Sequence, residues 1–342
     1  MASHRVSMAD VAREAGVSQM TVSRVVRAKE DVSPQTRQHV LEVIQQLGYR
    51  PSSIARGLAT KRTESLGLVM PDIANPFFPD VALGAQRAAY EHGYSVFLCN
   101  TEENPRREAS ILDSLDEKRV DGLLLISSRL DAHELRAMIN RYPVVVLVNR
   151  KLDGAAAGAV LVDNRAGGQK ATTHLIDAGH QAVGFLAGPP YARGGTERAK
   201  GYLDALAIAG MPYRPEWTLP CSPVIDGGRK GAHALLSAHP DLTALFCYND
   251  LVAVGALQAC AEVGRRVPDD LAIVGFDDIL LAGLVTPPLT TCHVDRYELG
   301  SRAMRLLLNH IDHEDEPYRE IVLQPQLIVR GSAPCDVGKL TG

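Results

Sequence analysis

Nothing in this sequence approaches the roughly 18 consecutive apolar residues of a membrane-spanning helix, although 46% of the residues are hydrophobic. A helical membrane protein is excluded, and enough apolar side chain is left for real cores. The stretch 1–11 carries charge and has no apolar h-region, so no secretory leader is expected. Cysteine is sparse and scattered: Cys99, Cys221, Cys247, Cys260, Cys292 and Cys335 contain no C-x-x-C pair. They read as reduced thiols of a cytoplasmic protein, and no Cys/His spacing supports a metal site. The dinucleotide fingerprint, the P-loop, the G-x-S-x-G elbow and H-E-x-x-H are all missing. The acidic pair Asp277-Asp278 lacks a partner base, nucleophile or metal cluster. An enzyme is therefore not expected, and no cofactor is implied.

What is present begins with length and charge. A chain of 342 residues suggests two or three domains. The net charge of −4 hides an asymmetry. Residues 1–62 hold ten Lys/Arg against five Asp/Glu, or +5; the remainder holds 26 against 35, or −9. A basic head on an acidic body suggests that the head meets a polyanion.

The head carries a motif that fits. In SMADVAREAGVSQMTVSRVV, Ser7 with Asp10 three residues on makes a capping-box-like start. Val11, Ala12 and Ala15 share one apolar face, and Gly16 ends the helix. Ser18 caps a second helix with Val22, Val25 and Val26 pointing inward. A third begins at Ser33-Pro34, sends Val40, Ile44 and Leu47 inward and stops at Gly48. Two short helices joined by a tight turn read as a helix-turn-helix. Its second helix would present Gln19, Met20 and Arg24 to base edges: Gln for adenine, Arg for guanine, Met for a thymine methyl. The hydroxyls of Ser18, Thr21, Ser23, Ser33 and Thr36 either cap helices or bond phosphates, and the same helix ends serve both purposes.

From Ser65 the pattern changes. Leu66–Met70, Ser95–Cys99, Gly122–Ile126, Val144–Val148, Ala182–Leu186, Ala244–Cys247 and Ala272–Val274 read as strands. Helices such as Val81–His92 and Gly167–Ala178 lie between them, and a changeover between two such α/β units is expected near Val162-Asp163-Asn164. Ligands of open α/β sheets sit at the carboxyl ends of the strands. That rule selects Asp72, Asn75, Phe77 and Phe78 after the first strand and Asn149 and Arg150 after the fourth. It also selects Asn249 and Asp277 farther on, together with Arg198, placed just before a helix. Each has a plainer role as well: packing for Phe77, capping for Asn249 and Asp277, a surface ion pair for Arg198.

The recognition-helix core TVSRVV, the VSPQTR start of the third helix and the following LGYRPSSIARGLAT resemble the lactose/galactose repressor family, in that family's order and spacing. The resemblance continues through nearly the whole chain. It implies an all-α helix-turn-helix domain (1–49), a hinge helix or linker (50–62) and an α/β, type I periplasmic-binding-protein-like domain with parallel sheets (63–342). Lobe 1 of that domain would span about 63–162 plus 293–323, and lobe 2 about 163–291 plus 324–342. It further implies a homodimeric repressor of a pseudo-palindromic operator, with a small sugar-like effector in the cleft between lobes and no membrane contact. Leu58 matches the residue that wedges into the minor groove, with Ala55 and Arg56 beside it. The segment 52–59 is too short for a helix that stands alone, and Gly57 weakens it further. The cleft candidates match positions where aromatics stack on the ligand and amide, carboxylate and guanidinium groups bond its hydroxyls. Replacing Arg198 or Asp277 is expected to abolish the effector response and spare the fold.

Departures from the family pattern bear on the ligand. Val294 stands where sugar-responsive relatives often carry glutamine, Asn149 where aspartate is frequent, and Asp226 near a common aromatic. The chain's end has no leucine heptads, so no tetramerising coiled coil is expected. A transport-type binding protein would need a leader and no DNA-reading head. A regulator answering to a protein partner stays open.

Overall fold

The structure, a computed structural model, describes residues 6–26, 29, 31–49 and 62–335. The segment with Ala55, Arg56 and Leu58 lies outside them, and the expected hinge helix with it. Two compact units divide between Glu64 and Ser65.

The first unit holds α1 (Met8–Glu14), α2 (Gln19–Val26) and α3 (Pro34–Leu47). Local chemistry sets these bounds. Ser7 Oγ accepts the Asp10 N–H, and the Asp10 carboxylate accepts the Ser7 N–H, a closed capping box. Gly16 takes a left-handed turn with φ of 64°. Ser33 accepts the Thr36 N–H, Pro34 occupies the first turn, and left-handed Gly48 ends α3. Val11, Ala12, Ala15, Val22, Val25, Val40, Val43 and Tyr49 form the core. Val26, Ile44 and Leu47, which the sequence pattern sent inward, pack only partly buried around it. The core of so small a unit closes over Val43 and Tyr49 instead.

In the second unit strands and helices alternate. The first lobe holds β1 (Ser65–Met70), α4 (Phe77–Glu91), β2 (Ser95–Asn100), α5 (Pro105–Glu117), β3 (Gly122–Ile126), α6 (Ala132–Ile139), β4 (Val145–Val148) and β5 (Gly158–Val162). The second lobe follows with α7 (Asn164–Asp177), β6 (Val183–Ala187), α8 (Arg193–Ile208), β7 (Thr218–Pro220) and α9 (Ile225–Ala238). It continues through β8 (Ala244–Cys247), α10 (Asp250–Glu262), β9 (Ala272–Asp277), α11 (Leu280–Leu284) and β10 (Thr290–His293). The chain then returns to the first lobe for α12 (Arg296–Asp312) and β11 (Glu320–Leu323), and crosses again to β12 (Gln326–Ile328).

One sheet has the order β11-β5-β4-β3-β1-β2, the other β12-β10-β9-β8-β6-β7. All pairings are parallel except that of β10 with β12. In each sheet the first strand of the lobe lies between the second and the third. The chain therefore winds outward in both directions from one point, and the carboxyl ends beside that point open a crevice.

Several boundaries differ from the sequence reading. Helix α4 starts at Phe77 rather than Val81, because Asn75 Oδ1 accepts the Phe77 N–H. Strand β9 runs through Gly275 to Asp277. Gly275 reads as a breaker, yet a Cβ there would lie 2.3 Å from Asp250 Oδ1; the strand passes directly over a buried carboxylate. Strands β5, β7, β10, β11 and β12 were not anticipated. They are short, and three of them, β7, β11 and β12, are sheet edges, where burial imposes little pattern.

The α7–α8 contact is unusually close. A methyl group on Gly201 would lie 2.1 Å from Arg165 O, and one on Gly168 would lie 2.4 Å from Arg198 O. Gly84 with Gly300 and Gly228 with Gly255 do the same for α4–α12 and α9–α10.

Candidate ligand cleft and nucleic-acid interface

The carboxyl ends of β1, β3 and β4 meet those of β8 and β9, and the start of α8, around a narrow cavity of about 40 Å3. Asn75, Phe77, Phe78, Asn149, Arg150, Arg198, Asn249 and Asp277 all line it. Asp72 does not. Its Oδ1 accepts the Ala74 N–H at 2.9 Å, so its carboxylate shapes the turn that follows β1. Asp226 is also elsewhere, on α9, paired with Arg229 and Lys230.

Arg198 is the hub of the second-lobe wall. It sits in the second turn of α8, not before the helix as its sequence context suggested. Its Nε donates to Asn164 Oδ1 (2.9 Å), Nη1 to Tyr248 O (2.6 Å) and Nη2 to Asp277 Oδ1 (3.1 Å). The guanidinium lies over the Phe276 ring, 3.6 Å from its centroid, and 5.0 Å from that of Tyr248. Every face of this buried cation is engaged, which offsets its desolvation.

Asp277 and its neighbours are electrostatically strained. Burial pushes the Asp277 carboxyl up to about 6, against the opposing pull of Arg198 and Arg296. Asp250, wholly buried behind it, is raised well above the ordinary carboxylate range by burial and then by Asp277. Asp250 accepts from Thr291 Oγ1 (2.6 Å) and the Ile279 N–H (2.8 Å). Asp277 and Asp278 adopt φ of 112° and 54°, so the backbone carries strain where β9 reaches the cleft. Arg296, on the first-lobe helix α12, donates to Asp80 of α4 and to the carbonyls of Asp277 and Asp278. One side chain thus bridges the lobes.

The remaining candidates sit where backbone geometry demands them. Phe77 and Phe78 pack edge to face, centroids 5.3 Å apart, and both are buried at the cavity wall. Asn249 caps α10 by accepting the Val252 N–H and donates to Pro223 O, so capping and cleft lining coincide. Asn149 takes a left-handed φ of 55° and accepts the Val162 N–H, tying β4 to the end of β5. The cleft also includes Ser127, Ser128, Arg129, Asn164, Arg193 and Tyr248, which sequence reasoning did not select. The strand-end rule reaches Ser127 to Arg129 after β3 and Tyr248 after β8. Arg193 had no such signal, because its place depends on where α8 begins.

On the head, α2 divides cleanly. Val22 and Val25 are buried, while Gln19, Met20 and Arg24 are exposed, Met20 at 65%. Arg24 pairs with Asp31 at 3.2 Å. Ser18 accepts the Thr21 N–H and touches the Thr21 hydroxyl; Ser33 and Thr36 repeat the arrangement. Ser23, on the same helix, is half-buried. Four of the five hydroxyls thus sit in caps.

Among the described residues no helix is long and apolar enough to cross a membrane, and no group of three His, Cys, Asp or Glu side chains is arranged to hold a metal. Residues 7–52 match the family described as bacterial regulatory proteins of the lacI family. Residues 63–330 match that of periplasmic binding proteins and the sugar binding domain of the LacI family. The HTH-type transcriptional repressor PurR of Mannheimia succiniciproducens is 36% identical over 330 residues, covering 94% of this chain and 97% of that protein. The solved complex of the transcriptional regulator CelR with cellobiose is 33% identical, with a TM-score of 0.74, over 96% of this chain and all of that one. The lac repressor dimer bound to operator and the anti-inducer ONPF is 26% identical, with a TM-score of 0.88, over 97% of this chain and all of that one.

Proposed function

We propose, from the premise that this chain belongs to the LacI family of bacterial regulatory proteins, that it is a dimeric repressor whose operator affinity is set by a small sugar-like molecule in the inter-lobe cleft. The observation that carries this reading is the union, in one chain, of a three-helix unit with Gln19, Met20 and Arg24 exposed on one helix and a two-lobed unit with a buried polar cavity. The relatives' own ligands and partners support it: operator for the lac repressor dimer, cellobiose for the CelR regulator.

In this reading residues 1–49 read the DNA and 50–62 join them to the sensor that follows. Gln19, Met20 and Arg24 contact bases, while Ser18, Thr21, Ser23, Ser33 and Thr36 position the phosphate backbone. Ala55, Arg56 and Leu58 enter the minor groove. In the cleft, Phe77 and Phe78 supply an apolar wall, Asn75, Asn149 and Asn249 amide groups, and Arg198 with Asp277 a donor and acceptor already locked in place. The protein works in the cytoplasm and does no chemistry on its ligand. Effector binding closes the lobes, and the Arg296 bridge from Asp80 to the end of β9 is one element that such closure repacks.

Selection of operators from a random library, followed by footprinting, tests the reading. A two-fold symmetric site, bound by a dimer with steep salt dependence, is expected. Recovery of one asymmetric half-site held by a monomer would overturn it.

A further inference from the structure

We propose that the effector carries an anionic group, a phosphate ester or a carboxylate, and that this group docks between the Arg150 guanidinium and the amino-terminal end of α8. The inference rests on reading the cleft as the effector site.

Charge in the cleft is unbalanced. Arg129, Arg150, Arg193 and Arg198 line it, against Asp277 as its carboxylate. Two of the four cations are matched. Arg129 forms a two-pronged pair with Glu103, and Arg198 pairs with Asp277. For Arg150 and Arg193 no carboxylate stands at ion-pair distance among the described residues. Arg150 is only 6% exposed. Its Nη1 donates to Ser128 O at 2.7 Å, and its Nε is buried with no acceptor. Glu108 acts on it through space; its Oε2 accepts the Arg129 N–H, while its Oε1 is buried without a hydrogen-bond partner. Burial, and then repulsion from Arg193, both disfavour the charged guanidinium. An enclosed cation with an orphan donor is costly unless something supplies the missing charge.

The start of α8 is the second observation. Ala192, Arg193 and Gly194 line the cavity. The N-cap is Ala192, which provides no side-chain acceptor, and the first turn holds no acidic residue. The first-turn amides and the positive end of a 16-residue helix are left without the usual compensation. Anions bind such ends through backbone N–H groups, and Gly194 allows close approach. Arg150 and Gly194 lie on opposite lobes, so one anion between them would reward closure.

The position also fits a two-part ligand. Arg150, Arg193 and Gly194 border both the inner cavity and a wider outer groove of about 720 Å3. A ring seated against Phe77 and Phe78 would place its substituent at this junction. Guanidinium groups match phosphate and carboxylate oxygens in paired hydrogen bonds.

Thermal unfolding of the full chain in sodium phosphate, sodium acetate and sodium chloride at equal ionic strength tests this. At tenfold above its dissociation constant, phosphate should raise the wild-type midpoint by about 3 °C beyond chloride. Arg193→Gln changes an exposed residue and should fold normally, yet lose more than half of that shift; Arg150→Gln should lose nearly all of it. Phosphate bound by the basic head would survive both substitutions. A shift with phosphate alone assigns a phosphate ester, and a shift with acetate as well assigns a carboxylate. Equal responses of wild type and Arg193→Gln to both anions would overturn the inference. Operator binding is measured separately by gel shift in each protein: its presence alongside a failed anion test sinks this inference only, whereas its absence in the wild type sinks the regulator reading.

Discussion

Nη2 of Arg198 lies 3.1 Å from Oδ1 of Asp277, and the two side chains are 8% and 7% exposed. Such a pair holds while complete and fails when halved. Arg198→Ala leaves a buried carboxylate, and Asp277→Ala leaves a buried guanidinium with one prong unmet. Each should cost about 3–5 kcal/mol in urea denaturation, and the double variant clearly less than the sum. Strict additivity would show that the two groups do not act as a pair. The sequence alone predicts that these substitutions spare the fold; burial of both side chains makes them destabilising instead.

The same carboxylate gives stability a pH signature. Burial raises Asp277 from 3.8 to about 6, with Arg198 and Arg296 opposing. Between about pH 4 and 6 the folded chain holds a proton at this site that the unfolded chain has lost. Stability contributed here therefore falls as pH rises through that window and levels off above it. Buried Asp250 acts in the same direction. Asp277→Asn should remove part of the slope, so the variant gains relative to wild type as pH rises. Parallel curves for the two proteins, from urea midpoints across the window, would contradict the assignment.

Gly201→Ala offers a test in which helix propensity and packing predict opposite signs. In an open helix the change stabilises by about 1 kcal/mol. At Gly201 the new methyl would lie 2.1 Å from Arg165 O, forcing α7 and α8 apart. A loss of about 1–3 kcal/mol is expected, with weaker effector binding because α8 carries Arg198. Gly283 has open space around it, so Gly283→Ala serves as the control and should be neutral or mildly stabilising. A stabilised Gly201→Ala protein would refute the close contact.

On the head, Arg24 pairs with Asp31 across an exposed gap of 3.2 Å. Arg24→Ala should change the preferred operator, costing about 1–3 kcal/mol at the base pair it reads. Thr21→Ala should weaken all sequences alike. Asp31→Asn removes both a competitor for Arg24 and a negative charge, so it should tighten binding to every sequence. An unchanged consensus for Arg24→Ala in a randomised library would remove Arg24 from the base-reading set.

Whatever spans three or four residues was decided by the sequence itself. Ser7 with Asp10, Ser33 with Thr36, Pro34 and Gly48 bound their helices through caps that need no tertiary partner. The alternation of strands and helices, and the polar residues at strand ends, likewise follow from local pattern, which is why all the cleft candidates but Asp72 line one cavity. Partnership and burial were decided only by the tertiary structure. Arg198 meets Asp277 across 79 residues and Arg296 meets Asp80 across 216, contacts that exist only because α8, β9, α4 and α12 pack as they do. The same packing hides the Arg150 guanidinium, brings the bare end of α8 to the cleft and presses Gly201 against the backbone of α7. Charge matching is a property of three-dimensional neighbours, and no periodicity along a chain encodes which cation is left without one.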